Sequence, residues 1–184
     1  MLRIITGMAL LLIISFNRSG ISIINYLDSN NTPPKLTITV GETEIIHGVN
    51  LIDWNGSSKK NNDFTSLILS QKELPVFESP EGVLFKDNIN LDFGDNTPDS
   101  ITVNDDLITK NGYLVHSRIT VKRDVIAVEE GKYSFGLNQH FALMLSSHSD
   151  TYTNPSYRGF TITCTFGQNK CEYLFVIKLG PAWK

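Results

Sequence analysis

Acidic residues concentrate in one short segment of the chain, and they are its first candidates for chemistry. Six Asp fall within the 20 residues 87–106, which contain no Lys or Arg: Asp87, Asp92, Asp95, Asp99, Asp105 and Asp106. Carboxylate clusters on loops can hold Ca²⁺, with Asp92, Asp95 and Asp99 as the candidate ligands here. Their spacing matches no calcium-loop motif, and Asp is also an ordinary turn residue between strands. The segment therefore favours turn chemistry, and we expect no metal and no cofactor.

Histidine and serine supply the other candidate catalytic groups. The four His are His47, His116, His140 and His148, and none stands at a zinc-ligand spacing. Residues 146–150 (SSHSD) place Ser, His and Asp together, but the members of a catalytic triad usually come from distant segments. No nucleophile-elbow, phosphate-loop or dinucleotide motif is present. The sequence thus predicts a non-enzymatic protein. The alternative is a cell-envelope hydrolase, which needs two of the Asp carboxylates and a His in one deep pocket.

The longest polar stretch, residues 146–159, is the best candidate for ligand contact. It carries Tyr152, Tyr157, Arg158 and His148 among small polar residues. Tyr-rich and Ser-rich loops on a rigid sandwich have the composition of a binding surface. The alternative is a solvated loop without a ligand.

Two cysteines, Cys164 and Cys171, flank a predicted turn at Gly167-Gln168. A two-residue hairpin turn with Gly first suits type II′ and sets Cys164 directly opposite Cys171. Directly opposite residues lie within the range of a disulfide. We therefore expect a disulfide that locks this hairpin, with two buried free thiols as the alternative.

The composition indicates an all-β fold. Ile, Val and Thr number 19, 10 and 15 in the 184 residues, whereas Ala appears only four times. Strand formers are thus abundant and the best helix former is scarce. Short alternating segments with turn signals every 8–12 residues or so are typical of a sandwich or barrel. In residues 35–40, Leu36, Ile38 and Val40 share one face.

Other segments predict particular elements. Trp54 is expected to anchor the core, and residues 55–63 to form a polar surface loop. Residues 64–69 are interpreted as a buried strand, although their spacing also allows one or two helical turns. Residues 160–166 and 171–179 form the predicted terminal hairpin.

The N-terminus resembles an export signal. Arg3 precedes an uncharged apolar stretch at residues 4–16, which is short for a membrane span and suits the apolar region of a signal peptide. We expect residues 1–22 to be a signal peptide or membrane anchor and the protein to be extracytoplasmic. A cytosolic protein with a buried N-terminal helix is the alternative. Removing residues 1–22 takes away Arg3 and Arg18, so the net charge changes from −3 to −5.

Several segments in order resemble a loosely defined class of proteins. They are residues 33–41, Gly48, Trp54 and residues 98–103, 131–135 and 173–177. Together they are similar to uncharacterised extracytoplasmic β-sandwich domains of Bacillus-like bacteria. The resemblance covers about residues 33–179 and implies fold and location, but no catalytic residue. The Cys pair departs from the class.

These observations predict one domain with a binding function. The fold is an antiparallel immunoglobulin-like β-sandwich of about 7–9 strands at residues 35–180, after a linker at 23–34 and before a tail at 181–184. The expected function is an extracytoplasmic, non-enzymatic binding or interaction module whose partner is a protein or an envelope component. The net charge of −3 gives no basic footprint for nucleic acid. Membrane contact is expected only through the N-terminal segment.

Overall fold

The structure is a computed structural model that describes residues 32–78, 87–138, 140–142 and 156–180. The described residues contain twelve strands, and helix α1 comprises Phe64–Ser70. The strands are β1 (Thr37–Val40), β2 (Thr43–Glu44), β3 (His47–Trp54), β4 (Ser57–Lys59), β5 (Val76–Phe77), β6 (Asn88–Asp92), β7 (Ser100–Ile108), β8 (Thr120–Arg123), β9 (Ile126–Glu129), β10 (Lys132–Gly136), β11 (Ser156–Phe166) and β12 (Asn169–Leu179). From Pro34 onward they belong to one compact unit.

The strands form two sheets. A five-stranded sheet has the order β2-β1-β6-β10-β9, and a seven-stranded sheet has the order β4-β3-β12-β11-β7-β8 with β5 added beside β12. The β5–β12 pair is parallel and the other pairs are antiparallel. The predicted all-β fold with antiparallel sheets is therefore confirmed. The structure has more strands than the predicted 7–9, because it includes three very short strands that the sequence pattern did not indicate. These are β2, β4 and β5, which have only two or three residues each.

The core lies between the inner faces of the two sheets. Leu36, Ile38 and Val40 are all buried, as the alternation in residues 35–40 predicts, and they pack in one cluster with side chains of β11 and β12. Trp54 is also buried there, in a T-shaped contact with Phe166 at 5.9 Å between ring centroids. The predicted core role of Trp54 is confirmed.

Strand β12 is buried on both faces because a helix covers its outer side. Leu174 and Val176 point away from the main core and pack with Leu67 of α1 and Ile108 of β7. Asp63 caps α1 reciprocally: its Oδ1 accepts the backbone N–H of Ser66 at 2.7 Å, and its own N–H donates to Ser66 Oγ at 2.9 Å. The preference for a buried strand at residues 64–69 is wrong, since this capping box starts a helix.

The terminal hairpin is confirmed in turn and register. Gly167 has φ of 60°, and Asn55 is the only described non-glycine residue with a positive φ, so the turn at Gly167-Gln168 has the type II′ pattern. Cys164 lies opposite Cys171 as predicted. The predicted disulfide is wrong, because both cysteines are free. Burial raises the pKa of both thiols, that of Cys171 to about 11, which disfavours the reactive thiolate in the folded hairpin.

The described residues contain no helix of sufficient length and apolar character to span a membrane. The segment expected to be a signal peptide or anchor, residues 1–22, lies outside the described residues, as does the tail at 181–184.

Candidate functional site

The four predicted ligand-contact residues divide into two pairs. His148 and Tyr152 lie outside the described residues. Tyr157 and Arg158 belong to strand β11, so their predicted position in a loop is wrong. Tyr157 is half-buried, with Lys178 Nζ 6.0 Å from its ring centroid. Arg158 is completely buried, and its side chain faces the core rather than solvent.

Arg158 forms a buried ion pair with Asp105 of strand β7. Arg158 Nε donates to Asp105 Oδ1 at 2.7 Å, and Arg158 Nη2 donates to Oδ2, so the pair is bidentate. Both side chains have no exposure to solvent. The guanidinium also stands 5.5 Å from the ring centroid of Phe160, a cation–π distance. This arrangement desolvates two charges and holds them in one geometry, which is the role of a structural pair.

A second cation shares the same carboxylate. Arg123 of strand β8 donates from Nε to Asp105 Oδ2 at 2.7 Å, and from Nη2 to the Asn138 carbonyl at 3.1 Å. Arg158 Nη1 and Nη2 donate to that carbonyl at 3.4 Å each. Both oxygens of Asp105 therefore accept hydrogen bonds from guanidinium groups, which opposes their use as a general base or nucleophile.

The pattern of buried and exposed residues along strands β7 and β11 contains a sequence signal for this ion pair. The interpretation of residues 146–159 as a loop did not use that signal. Asp105 is in phase with the buried Val103 and Leu107, and Arg158 is in phase with Phe160. A charged residue at a core position of a strand requires a partner of opposite charge. Two such residues of opposite sign, on different strands, indicate a buried ion pair.

Asp106 and His140 lie beside this pair without adding a free catalytic group. Asp106 accepts a hydrogen bond from Thr120 Oγ1 at 2.6 Å, and burial is the main cause that raises the pKa of its carboxyl. His140 is fully buried, with Nε2 3.0 Å from the Asp105 carbonyl and Nδ1 3.2 Å from the Ala142 N–H that donates to it. These partners assign the proton to Nε2, so the neutral imidazole satisfies both of its nitrogens here.

The burial of His140 predicts that the protein loses stability in acid. Burial is the main cause that lowers the pKa of His140 below its ordinary value of 6.5. The unfolded chain then binds more protons than the folded one between the two pKa values, so the free energy of unfolding falls as pH drops below about 6.5. We expect H140Q to show a weaker pH dependence than the unmodified chain in urea unfolding between pH 7 and pH 5. Parallel pH profiles for the two proteins would contradict this expectation.

The candidate calcium ligands lie in turns and at strand ends. Asp92 Oδ1 accepts the Gly94 N–H at 2.8 Å, and Asp99 Oδ2 accepts the Gly167 N–H at 2.5 Å. Asp95 is exposed in the turn after β6. Within residues 32–78, 87–138, 140–142 and 156–180, no three His, Cys, Asp or Glu side chains are grouped to hold a metal. Asp92 thus bonds to the residue two positions on, as a turn-forming carboxylate does, whereas Asp99 joins the start of β7 to the turn between β11 and β12.

A surface cleft of about 470 Å³ lies away from these carboxylates. This volume falls within the range of about 300–1,000 Å³ that ligand sites occupy. One wall is the connection between β2 and β3, and the other follows helix α1 into β5. The lining residues are Glu44, Ile46, Gln71, Glu73, Leu74, Pro75 and Val76. Ile46 is 62% exposed and Val76 is 44% exposed, so both present apolar surface to solvent.

Backbone hydrogen bonds fix both walls of the cleft. The Ile45 N–H donates to the Ile38 carbonyl at 2.8 Å, which ties the first wall to β1. The Lys178 N–H donates to the Pro75 carbonyl at 3.0 Å, which ties the second wall to β12. The lining contains two carboxylates and no Lys, Arg or His. The cleft can therefore accept an apolar group together with a cation.

Sequence reasoning missed this cleft. None of its lining residues belongs to a recognisable motif, and residues 44–46 meet residues 71–76 only after folding. The one local signal is the pair Ile45-Ile46. Successive side chains of an extended chain point to opposite sides, so one of these two apolar residues must face outward, and it is Ile46.

The chain matches no protein-family model and no curated protein.

Proposed function

We propose that this chain is a non-enzymatic binding module that acts outside the cytoplasmic membrane, and that its partner docks in the cleft lined by Ile46 and Val76. One observation carries the proposal: the cleft combines exposed apolar side chains with two carboxylates on a backbone fixed to both sheets. Burial of exposed apolar surface supplies the free energy of such docking. Charge complementarity then selects the partner.

The charges of the cleft favour a partner segment that pairs an apolar side chain with a Lys or Arg. Glu44 and Glu73 form no ion pair with any residue that the structure describes. The carboxylates of Glu44 and Glu73 are therefore available to pair with a cation of the partner. The apolar side chain of the partner segment would contact Ile46 and Val76.

The location proposed for the module rests on the N-terminal sequence. Residues 4–16 have the length and composition of the apolar region of an export signal. The partner would then be an extracytoplasmic protein or an envelope component. The two free thiols do not argue against export, since burial alone keeps them from reacting.

The finer fold type that we propose is an immunoglobulin-like sandwich. The last two strands, β11 and β12, lie between β7 and β3 in their sheet, so neighbouring strands are distant in sequence. Long connections of this kind are typical of Greek-key sandwiches.

The hydrolase alternative has less support. Asp105 and Asp106 approach His140, but Asp105 is occupied by Arg123 and Arg158. Asp92, Asp95 and Asp99 are spread over turns and strand ends. No lining residue of the cleft is a His or an Asp. The cleft therefore does not bring these Asp carboxylates together with a His.

A peptide titration tests the proposed binding function. The probes are a fluorescent Leu-Lys-Leu-Lys peptide and its Leu-Glu-Leu-Glu counterpart, and fluorescence anisotropy gives the Kd of each with the full chain. We expect the Lys peptide to bind more tightly, and an exposed ion pair of up to about 1 kcal/mol predicts up to about a fivefold loss for each of E44Q and E73Q.

The apolar contribution has a matched control. I46S should weaken binding of the Lys peptide, whereas I126S should not, because Ile126 is similarly exposed at 67% but lies on the edge strand β9. Equal affinity for the two peptides, or equal effects of I46S and I126S, would refute the proposal.

A further inference from the structure

The connection between β7 and β8 presents the longest run of exposed large apolar side chains among the described residues. Tyr113, Leu114 and Val115 are 65%, 44% and 39% exposed. Single exposed apolar residues are normal on protein surfaces, but three in succession are not explained by such scatter. We call these three residues the apolar tip.

Hydrogen bonds hold the backbone of the apolar tip in place. The Thr109 N–H donates to the Tyr113 carbonyl at 2.7 Å, and the Val115 N–H donates to the Leu107 carbonyl at 2.9 Å. Thr65 Oγ1 of helix α1 donates to the Asn111 carbonyl at 3.0 Å, so the helix supports the loop from one side. The exposure of the tip is therefore a feature of an ordered loop that is braced by the sheet and the helix.

The charges that flank the apolar tip are all positive in sequence. Residues 107–123 contain no Asp or Glu, although the whole chain has a net charge of −3. Lys110, Arg118 and Lys122 are exposed and form no ion pair with any described residue. Arg123 is neutralised by Asp105. The carboxylate at the start of helix α1, that of Asp63, is engaged in capping the helix.

We propose that the apolar tip inserts into the interface of a membrane that contains anionic lipids. Aromatic and aliphatic side chains can enter the boundary between headgroups and acyl chains, and Tyr favours that depth because its ring is apolar and its hydroxyl is polar. The neighbouring Lys and Arg are attracted to anionic headgroups. This surface is separate from the cleft, and the proposal does not depend on the proposed binding function.

The observations favour a bilayer over a protein partner. The apolar tip belongs to the connection between two strands, and the side chains in it face solvent rather than line a cavity. Its residues combine an interfacial aromatic with aliphatic neighbours and a cationic surround, which is the composition of membrane-surface segments. The loop thus gives the protein a second membrane contact beside the one expected of residues 4–16.

Fluorescence at the tip tests the proposal even though residues 4–16 can bind membranes by themselves. Y113W in the full chain is mixed with phosphatidylcholine vesicles that contain phosphatidylglycerol with brominated acyl chains. We expect bromine to quench the indole that Y113W introduces, above the background of the unmodified chain, whereas I126W on β9 shows no added quenching. Added quenching that is equal for the two variants, or absent in Y113W, would overturn the proposal.

Charge variants test the lipid requirement. In the Y113W background, K110Q with R118Q should weaken the apparent affinity for vesicles, measured by quenching, by about thirtyfold, since each of the two basic residues contributes on the order of 1 kcal/mol near an anionic surface. L114D should abolish the quenching. The control vesicles consist only of brominated phosphatidylcholine and contain no anionic lipid. Quenching of Y113W that is equal on these vesicles, or an unchanged affinity of the charge variant, would overturn the anionic-lipid proposal.

Discussion

Replacing Asp105 with Asn is expected to lower the free energy of unfolding by about 3–5 kcal/mol. The substitution preserves the shape of the side chain but removes the negative charge between Arg158 and Arg123. Arg158 has no exposure to solvent, so its charge would remain buried without a counter-charge. The amide can accept hydrogen bonds through one oxygen only, whereas the carboxylate accepts from both guanidinium groups through two.

Urea unfolding of D105N measures this effect directly. The matched control is D95N, which makes the same chemical change at an exposed turn, where substitutions usually change stability by no more than about 0.5 kcal/mol. A loss below about 1 kcal/mol for D105N would show that the ion pair is not a main contributor to stability. It would also reopen a chemical role for this carboxylate.

The second large effect is expected for Gly131, in the turn between β9 and β10. Its φ is 69°, and a Cβ at this position would lie 2.0 Å from the Gly94 carbonyl oxygen. The two turns are also joined by a hydrogen bond from the Phe93 N–H to the Gly131 carbonyl at 2.9 Å. Because the obstacle is backbone, G131A must displace one turn from the other. We expect G131A to lower the free energy of unfolding through two costs that add. The strain of a left-handed residue costs about 1–2 kcal/mol, and the displacement of the turns costs about 1–3 kcal/mol.

Gly41 separates the two causes. Its φ is 56°, but a Cβ there meets nothing within 4 Å. G41A should therefore cost only the backbone strain, about 1–2 kcal/mol, and G131A should cost clearly more in the same thermal or urea unfolding experiment. Equal losses for the two variants would mean that the contact between the turns is not tight in solution.

Alternation made part of the fold predictable. Leu36, Ile38 and Val40 are read from the sequence as one buried face, and the turn at Gly167-Gln168 fixes the register that places Cys164 opposite Cys171. The disulfide failed because register determines which residues are neighbours, whereas bond formation also depends on thiol reactivity, and burial suppresses that.

The candidate site was less predictable because long-range pairing builds it. Strand β5 of two residues pairs with the end of β12, and this places residues 74–76 opposite Ile46. No local pattern in so short a strand reports such a pairing. Arg158 failed as a loop residue for a related reason: its core phase is visible only when strand β11 is recognised to begin at Ser156.

The central proposal is that a partner binds at the cleft rather than at the buried carboxylates. The most direct measurement is a map of backbone amide shifts in ¹H–¹⁵N spectra of the full chain as the Leu-Lys-Leu-Lys peptide is added. We expect the largest changes on residues 44–46 and on 71, 73, 74 and 76. Changes centred on Asp105, Asp106 and His140, or scattered over the surface without a maximum at the cleft, would contradict the proposed binding site.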